Sequence, residues 1–375
     1  MLIHFTLPRA RAPPQGRALL EWRTEQMGER TAGAIRRVLV TGISGNLGRR
    51  LAPLLAGYEV VSADLYPPPA GVRAGEFHAV DLSTETGREA LARAVVESGV
   101  EAVLHLAFVV DQVRSGILDR ERMRQTNVEG TRRLLEAVAE ANRGGTRVRL
   151  LVYLSSVSAY GTGQPEGIRE DAPLGGHTLP YAMDKRETDV QCQQMFTRLG
   201  GAALYIFRPH IYAGAGIQNW LIDGVCGRAS GAGWLARLAR RRRWHIPVAL
   251  PRGARTENRI QLVHADDVAR LLAWTLLRFH GGAMEIFNVA GEGTLSLAEC
   301  LETSGTAVIR AGGERTVRLL LRTMYALGLS AVPEEALSYY LEPPTMDTSR
   351  LRAALGEDWA SVVRYTTRAA LEESV

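Results

Sequence analysis

Of the 45 basic side chains in this 375-residue sequence, only one is a lysine. Lys185 stands four residues after Tyr181; the other basic residues are all arginine. A guanidinium is planar and stays charged, so it cannot replace a compact ammonium in a proton relay. At helical spacing, residues i and i+4 share a face. The ammonium would then favour the phenolate and lower the Tyr181 pKa toward working pH. A general acid/base needs that tuning. Two hydroxyls, Ser155 and Ser156, stand upstream at the end of the apolar run Val148 to Leu154. Active groups of open parallel sheets gather at the carboxyl ends of strands, and a serine pair there fits.

These side chains need a frame, and the text from Arg36 onward supplies one. Val38-Leu39-Val40 is followed by Thr41-Gly42-Ile43-Ser44-Gly45-Asn46-Leu47-Gly48 and then Arg49 to Ala52. The order is strand, glycine turn, helix. Gly42 permits the tight turn, Gly45 lets amides approach a pyrophosphate, and Gly48 lets the helix pack on the strand. The same glycines also suit a purely structural turn. A second strand, Glu59 to Ala63, ends in Asp64, which is placed to bind the adenosine ribose hydroxyls and repel a 2′-phosphate. That favours NAD over NADP, with an ordinary cap as the other reading. Residues 77–80 lead to Asp81-Leu82 and form a third strand, whose Asp81 could face the adenine. Ala102 to Ala107 forms a fourth, with His105 read as a core histidine. Residues 119–142 show helical periodicity with Asn127 near the start, and Ala203 to Phe207 leads into Arg208-Pro209. Strands alternating with helices indicate an α/β fold with a doubly wound parallel sheet.

Bulk properties narrow the function classes. Hydrophobic content of 46% and charged content of 23% are ordinary for a globular protein. The net charge of +5 comes mostly from residues 1–37, with seven arginines against three acids; the 38 basic and 37 acidic residues beyond nearly cancel. A nucleic-acid footprint is therefore not expected. Cys192, Cys226 and Cys300 are few and scattered, which suggests neither disulfides nor a metal site and points to a reducing, cytoplasmic setting. No run approaches 18 apolar residues, so no membrane partner is expected. Residues 1–34 read as a poorly ordered extension, or as translation from upstream of a true start at Met27.

Taken in order, these motifs resemble the extended short-chain dehydrogenase/reductase superfamily, in its NAD-dependent epimerase/dehydratase branch. The resemblance runs from about Arg36 to Ala290. Besides the segments above, it includes His105-Leu106-Ala107, Asn127-Val128-x-Gly130-Thr131, Tyr160-Gly161, Val263-His264-x-Asp266-Asp267-Val268-Ala269 and Phe287-Asn288-Val289. It implies that Ser156 orients the substrate oxygen and Tyr181 transfers the proton. Lys185 would hold the nicotinamide ribose and tune Tyr181. NAD would be bound by Gly42, Ser44, Gly45, Asn46, Leu47, Gly48, Asp64, Asp81, Leu82, Leu106, Ala107, Asn127, Ser155, Tyr181, Lys185 and Pro209. Asn127 helps shape the active-site helix or simply packs. A homodimer through a four-helix contact is also implied, although no stripe in the sequence specifies it.

The implied architecture is a Rossmann-type NAD-binding domain over 35–210, with strand return near 260–290. A smaller substrate-binding lobe comprises 211–258 and 291–375. Within the lobe, Trp220, Trp234 and Trp244 surround the run Arg240 to Arg243. That run is either a solvated basic face or an anion site, for which Arg252 and Arg255 are equal candidates. Two departures narrow the chemistry. Dehydratases of the family carry an Asp-Glu pair after the Ser/Thr position, where this chain has Val157 and Ser158. Many sugar-nucleotide members place an Asn where this chain has Ile211. The expectation is an NAD-dependent epimerase or oxidoreductase of a sugar or nucleotide sugar, not a 4,6-dehydratase. A reductase of a steroid- or polyketide-like ketone is the alternative, and a non-catalytic dinucleotide sensor a further one.

Overall fold

The computed structural model describes residues 34–110 and 119–375. The expected extension thus lies, except for its last residue, outside the described residues. Seven parallel strands form the central sheet: β1 (Arg37–Thr41), β2 (Glu59–Asp64), β3 (Glu76–Ala79), β4 (Ala102–His105), β5 (Leu150–Leu154), β6 (Ala203–Pro209) and β7 (Met284–Val289). Their order across the sheet is β7-β6-β5-β4-β1-β2-β3. The chain winds outward one way from β1 and then returns to wind the other way. That reversal opens a crevice at the carboxyl ends of β1 and β4.

Residue alternation along the strands feeds two cores. Val38, Val40, Leu104 and Val152 face one side with α7 (Ala265–Arg278). Leu39, Val103 and Leu151 face the other, against α2 (Glu85–Glu97) and α4 (Gly130–Arg143). Both faces of the inner strands β1, β4, β5 and β6 are covered, so these read as near-continuous apolar runs. The remaining helices that matter here are α1 (Asn46–Leu51), α3 (Arg120–Arg124), α5 (Pro180–Met195), α6 (Trp234–Arg241) and α8 (Glu314–Ala326). The single helix expected over 119–142 is broken by a π-helical turn at Gln125–Glu129, which separates α3 from α4. Such turns re-aim side chains and cluster at functional sites; this one carries Asn127.

Helix α5 has an unusual inward face. Pro180 stands in its first turn, where a missing N–H costs nothing. Its buried residues are Ala182, Asp184, Lys185, Thr188, Asp189 and Cys192. Most of these are polar, so no apolar stripe marks the helix in sequence. The segments after β6 pack around a separate cluster that includes Leu221, Ile222, Leu262, Leu297, Leu301 and Tyr340. Short strand pairs tie them together: Val248–Leu250 with Val308–Arg310, and Arg259–Ile260 with Leu295–Ser296.

Candidate active site

The glycine turn is sterically fixed. Gly42 has φ +76°, and a Cβ there would lie 2.6 Å from the Ala107 nitrogen. A Cβ on Gly48 would lie 2.5 Å from the carbonyl oxygens of Gly42 and Ile43. Both positions exclude a side chain. Gly45 has less need to be glycine; its Cβ would meet only the Gly42 oxygen, at 3.2 Å. Asp64, at the end of β2, accepts the Ser44 amide at 2.9 Å and the Leu65 amide at 2.7 Å. Its carboxylate is thereby held at the mouth of the turn. The Ser44 hydroxyl donates to the Tyr66 carbonyl, and Asn46 donates to Gly216 at 3.4 Å. Leu47 packs on the first core.

The other expected cofactor residues surround this crevice with differing roles. Asp81 accepts the Ser83 amide and hydroxyl and lies 3.6 Å from the Arg122 guanidinium. Leu82 is buried against Gly130, where a Cβ would approach to 2.8 Å. The Leu106 amide donates to the Thr41 carbonyl, and that of Ala107 to the Thr41 hydroxyl. His105 is buried between the hydroxyls of Thr41 and Thr131, at 2.7 and 3.1 Å. Burial, then the Lys185 charge, brings its pKa down to about 3, so it stays neutral and belongs to the core. Pro209 ends β6 beside Val289. The Ser155 hydroxyl, at the end of β5, is buried without a hydrogen-bond partner among the described residues.

Ser156, Tyr181 and Lys185 come together at the carboxyl end of β5. Ser156 caps a 3-10 turn at Val157–Tyr160, accepting the Ser158 amide at 3.1 Å, and its hydroxyl neighbours the Tyr181 phenol. Lys185 is buried, donates to the Leu154 carbonyl at 2.6 Å and lies 5.9 Å from the Tyr181 ring centroid. It sits over the Phe108 ring at 3.4 Å, a cation–π contact. Phe108 in turn meets Tyr181 edge-on at 5.7 Å.

The expected lowering of the Tyr181 pKa does not hold in this structure. Burial dominates and pushes the phenol up to about 12, opposed by the neighbouring Ser156 hydroxyl. Burial also brings the Lys185 ammonium down to about 7. Desolvation penalises each charged form, and the ammonium is directed at Leu154 and Phe108 rather than at the phenol oxygen. At neutral pH, Tyr181 is therefore a protonated donor beside a lysine poised between its two states.

Phe108, Asp184 and Arg120 support the site and were missed in the sequence. Phe108 directly follows the Leu106-Ala107 motif and carried no signal of its own. Asp184, between Tyr181 and Lys185, is buried and receives both ends of the Arg120 guanidinium at 2.7 and 3.0 Å. Asn127 donates to Asp184 at 3.0 Å, accepts the Val109 amide at 2.7 Å and donates to its carbonyl at 3.1 Å. The π-turn residue thus ties the Phe108 loop to α5, which gives the shaping role a geometric form.

A cavity of about 260 Å³ opens beside Tyr181. Val110, Met123, Leu179, Trp220, Tyr325 and Pro333 give it an apolar wall. Its cationic group is Arg322, which pairs with Glu334, another lining residue. Arg252 and Arg255 are exposed and do not line it, so the structure does not bring these candidate anion ligands to Tyr181. Arg208 is likewise structural: buried, it grips Asp189 with two bonds of 2.9 Å and donates to Tyr160 at 2.7 Å.

Comparison with known proteins supports the same picture. An uncharacterised protein of Mycobacterium tuberculosis is 27% identical over 299 residues, which are 79% of this chain and 24% of that protein. The chain thus spans about a quarter of the length of the curated relatives it first matches. The UDP-glucose 4-epimerase of Streptomyces lividans is 34% identical over 158 residues, 40% of this chain and 45% of that one. Among solved structures, a dTDP-glucose 4,6-dehydratase from Streptomyces venezuelae with NAD bound superposes with a TM-score of 0.63. It is 21% identical and aligns over 90% of this chain and 95% of its own, a likeness of fold. The model of the NAD dependent epimerase/dehydratase family matches residues 38–290, from β1 to just past β7. With that match spanning the sheet and the Ser156–Tyr181–Lys185 cluster, the chain belongs to the NAD-dependent epimerase/dehydratase family, within the extended short-chain dehydrogenase/reductases.

Proposed function

We propose that the protein catalyses reversible hydride transfer at a secondary alcohol or ketone carbon of a sugar or nucleotide sugar, using NAD. The observation that carries this reading is the gathering of Ser156, Tyr181 and buried Lys185 at the carboxyl end of β5, beside the cavity that Tyr181 lines. The residues fit a dinucleotide: Gly42 and Gly48 have no room for a Cβ, and the buried Ser155 hydroxyl has no partner among the described residues. Gly42, Ser44, Gly45, Asn46, Leu47 and Gly48 would cradle the pyrophosphate. Asp64 would take the adenosine ribose hydroxyls and disfavour a 2′-phosphate. Asp81, Leu82, Leu106, Ala107, Asn127 and Pro209 would line the rest of its path. The cofactor supplies hydride acceptance and donation.

Tyr181, protonated at neutral pH, would donate a proton to a forming alkoxide, and Ser156 would hold the same oxygen. In the oxidative direction Tyr181 would receive that proton, and Lys185 would steady the charge left on the phenol. Val157 and Ser158 stand where an elimination would need carboxylates, which argues for epimerisation or oxidoreduction over dehydration. Incubating the purified protein with UDP-glucose and related sugar nucleotides tests this. Isomers formed without net NADH support an epimerase. A 4-keto-6-deoxy product would sink the exclusion of dehydratase chemistry. Tyr181→Phe should lower turnover on the order of 10²- to 10⁴-fold with the fold intact; NAD binding with no turnover by the unaltered chain would instead favour a non-catalytic dinucleotide sensor.

A second reading rests on the apolar wall beside Tyr181 and on Ile211, which packs into the apolar cluster of the later segments. Both favour a ketone without a nucleotide diphosphate. Thermal protection by NAD but by no nucleoside diphosphate would select it.

A further inference from the structure

Helix α6 buries its small residues and exposes its tryptophan. Its buried residues are Ala236 and Ala239, which meet Ala229 in a small cluster with Ile246 at its edge. At 100° per residue the opposite side carries Trp234, Leu238 and Arg241, with Arg237 beside them. Trp234 thus faces solvent, Leu235 and Leu238 are half-buried, and the small residues face the protein. Trp234 is 69% exposed, and Trp244, just past the helix, is 53% exposed.

The neighbouring segment repeats this pattern. Gly231 and Gly233 donate to the carbonyls of Leu329 and Gly328, which sets Trp234 beside Leu327, itself 65% exposed. Val248–Leu250 pairs with Val308–Arg310, joining the two segments again. Leu319 on α8 is 62% exposed, and Leu320 and Ile309 are exposed as well. Seven of the fifteen exposed large hydrophobics among the described residues fall within 224–256 and 308–333. An apolar concentration of this kind marks a binding surface.

Charge identifies what would cover it. Residues 224–256 hold eight arginines and no acidic residue; residues 308–333 hold four arginines and a single acid, Glu314. Arg241, Arg242 and Arg243 are exposed and have no ion-pair partner among the described residues. A surface of tryptophan and leucine set among arginines matches an anionic lipid interface. There, apolar side chains enter the headgroup boundary and cations meet acidic lipids. A nucleic-acid backbone would satisfy the arginines but leave Trp234 and Leu327 without a partner.

We propose that the face formed by α6, Trp244 and the Leu319–Leu327 side of α8 docks the protein on anionic membrane surfaces. Docking of this kind lies on the membrane; no helix among the described residues is long and apolar enough to cross one. The sequence expectation of no membrane partner rests on the lack of a long apolar run, and surface docking of this kind needs none. Helix α8 also contributes Arg322 and Tyr325 to the cavity beside Tyr181, so docking would bring that cavity close to the lipid headgroups.

The test is co-sedimentation of the full chain with phosphatidylcholine vesicles, with and without about one third phosphatidylglycerol. Binding is expected only to the anionic vesicles and should weaken at high salt. Arg241→Gln with Arg242→Gln should weaken partitioning roughly 25-fold, at about fivefold per arginine. Trp234→Ala with Leu327→Ala should weaken it by roughly tenfold or more. Melting temperature and NAD protection should match the unaltered chain in both variants, since the changed side chains are exposed. Two outcomes overturn the proposal: no binding to anionic vesicles at low salt, or equal binding by the unaltered chain and both variants. A third is a dimer in ultracentrifugation that Trp234→Ala converts to monomer, which would assign this face to a second copy of the chain.

Discussion

The arginines of the two halves of the molecule are used in opposite ways. Around the sheet several are matched to buried carboxylates. Arg208 holds Asp189 and Tyr160, Arg270 holds Asp267, Arg50 holds Asp266, and Arg120 holds Asp184. The Arg208, Arg50 and Arg120 pairs each join segments far apart in the chain, while Arg270 grips Asp267 within α7. In 224–256 the arginines mostly point outward: Arg240 caps the carbonyls of Ala229 and Gly231, while Arg241, Arg242, Arg243, Arg252 and Arg255 are exposed. A guanidinium that loses its carboxylate inside the protein leaves an uncompensated charge, whereas one at the surface leaves only water. The same residue type therefore stabilises the fold in one region and is free for recognition in the other.

Four measurements can break or sharpen this contrast. The largest effect is expected at Arg208→Ala, which strands Asp189 and should cost about 3–5 kcal/mol in urea unfolding. A loss below about 1 kcal/mol would refute the assignment of Arg208 as a structural clamp.

Next comes the lone lysine. Folded Lys185 has its pKa brought down to about 7 from the ordinary 10.5. Between those values the unfolded chain holds the extra proton, so stability should rise with pH across that window. Below pH 7 the destabilisation is complete, on the order of a few kcal/mol. Lys185→Met should flatten that slope; a slope unchanged by the substitution would assign it to other groups.

A smaller effect concerns the cofactor. Asp64→Ser should narrow the preference for NAD over NADP by roughly tenfold, read from the two dissociation constants. Smallest of all, Arg252→Gln and Arg255→Gln should each change stability by less than about 0.5 kcal/mol. They should also leave KM within about twofold, because neither side chain lines the cavity beside Tyr181. A tenfold rise in KM would restore them as substrate ligands.

Much of the sheet was legible because its signals are local. Val38-Leu39-Val40 before Gly42, Gly45 and Gly48 specifies strand, turn and helix within a dozen residues, and the structure supplies the steric reason at Gly42 and Gly48. Strands β4, β5 and β6 were equally plain, since both faces are buried and their apolar runs are nearly continuous. The break at Gln125–Glu129 was not legible, because a π-helical turn leaves the apolar period on either side intact.

By itself the sequence determined which residues could do chemistry, and where along the chain they fall. Tyr181 and Lys185 must share a helical face, and Ser156 must end a strand, because backbone geometry alone enforces both. Only the tertiary structure decided how those groups titrate and what holds them. The upward shift of Tyr181, the Phe108 ring under Lys185 and the Arg120–Asp184 clamp all depend on segments far apart in the chain. Desolvation is set by whatever packs around a group, and no local spacing encodes that.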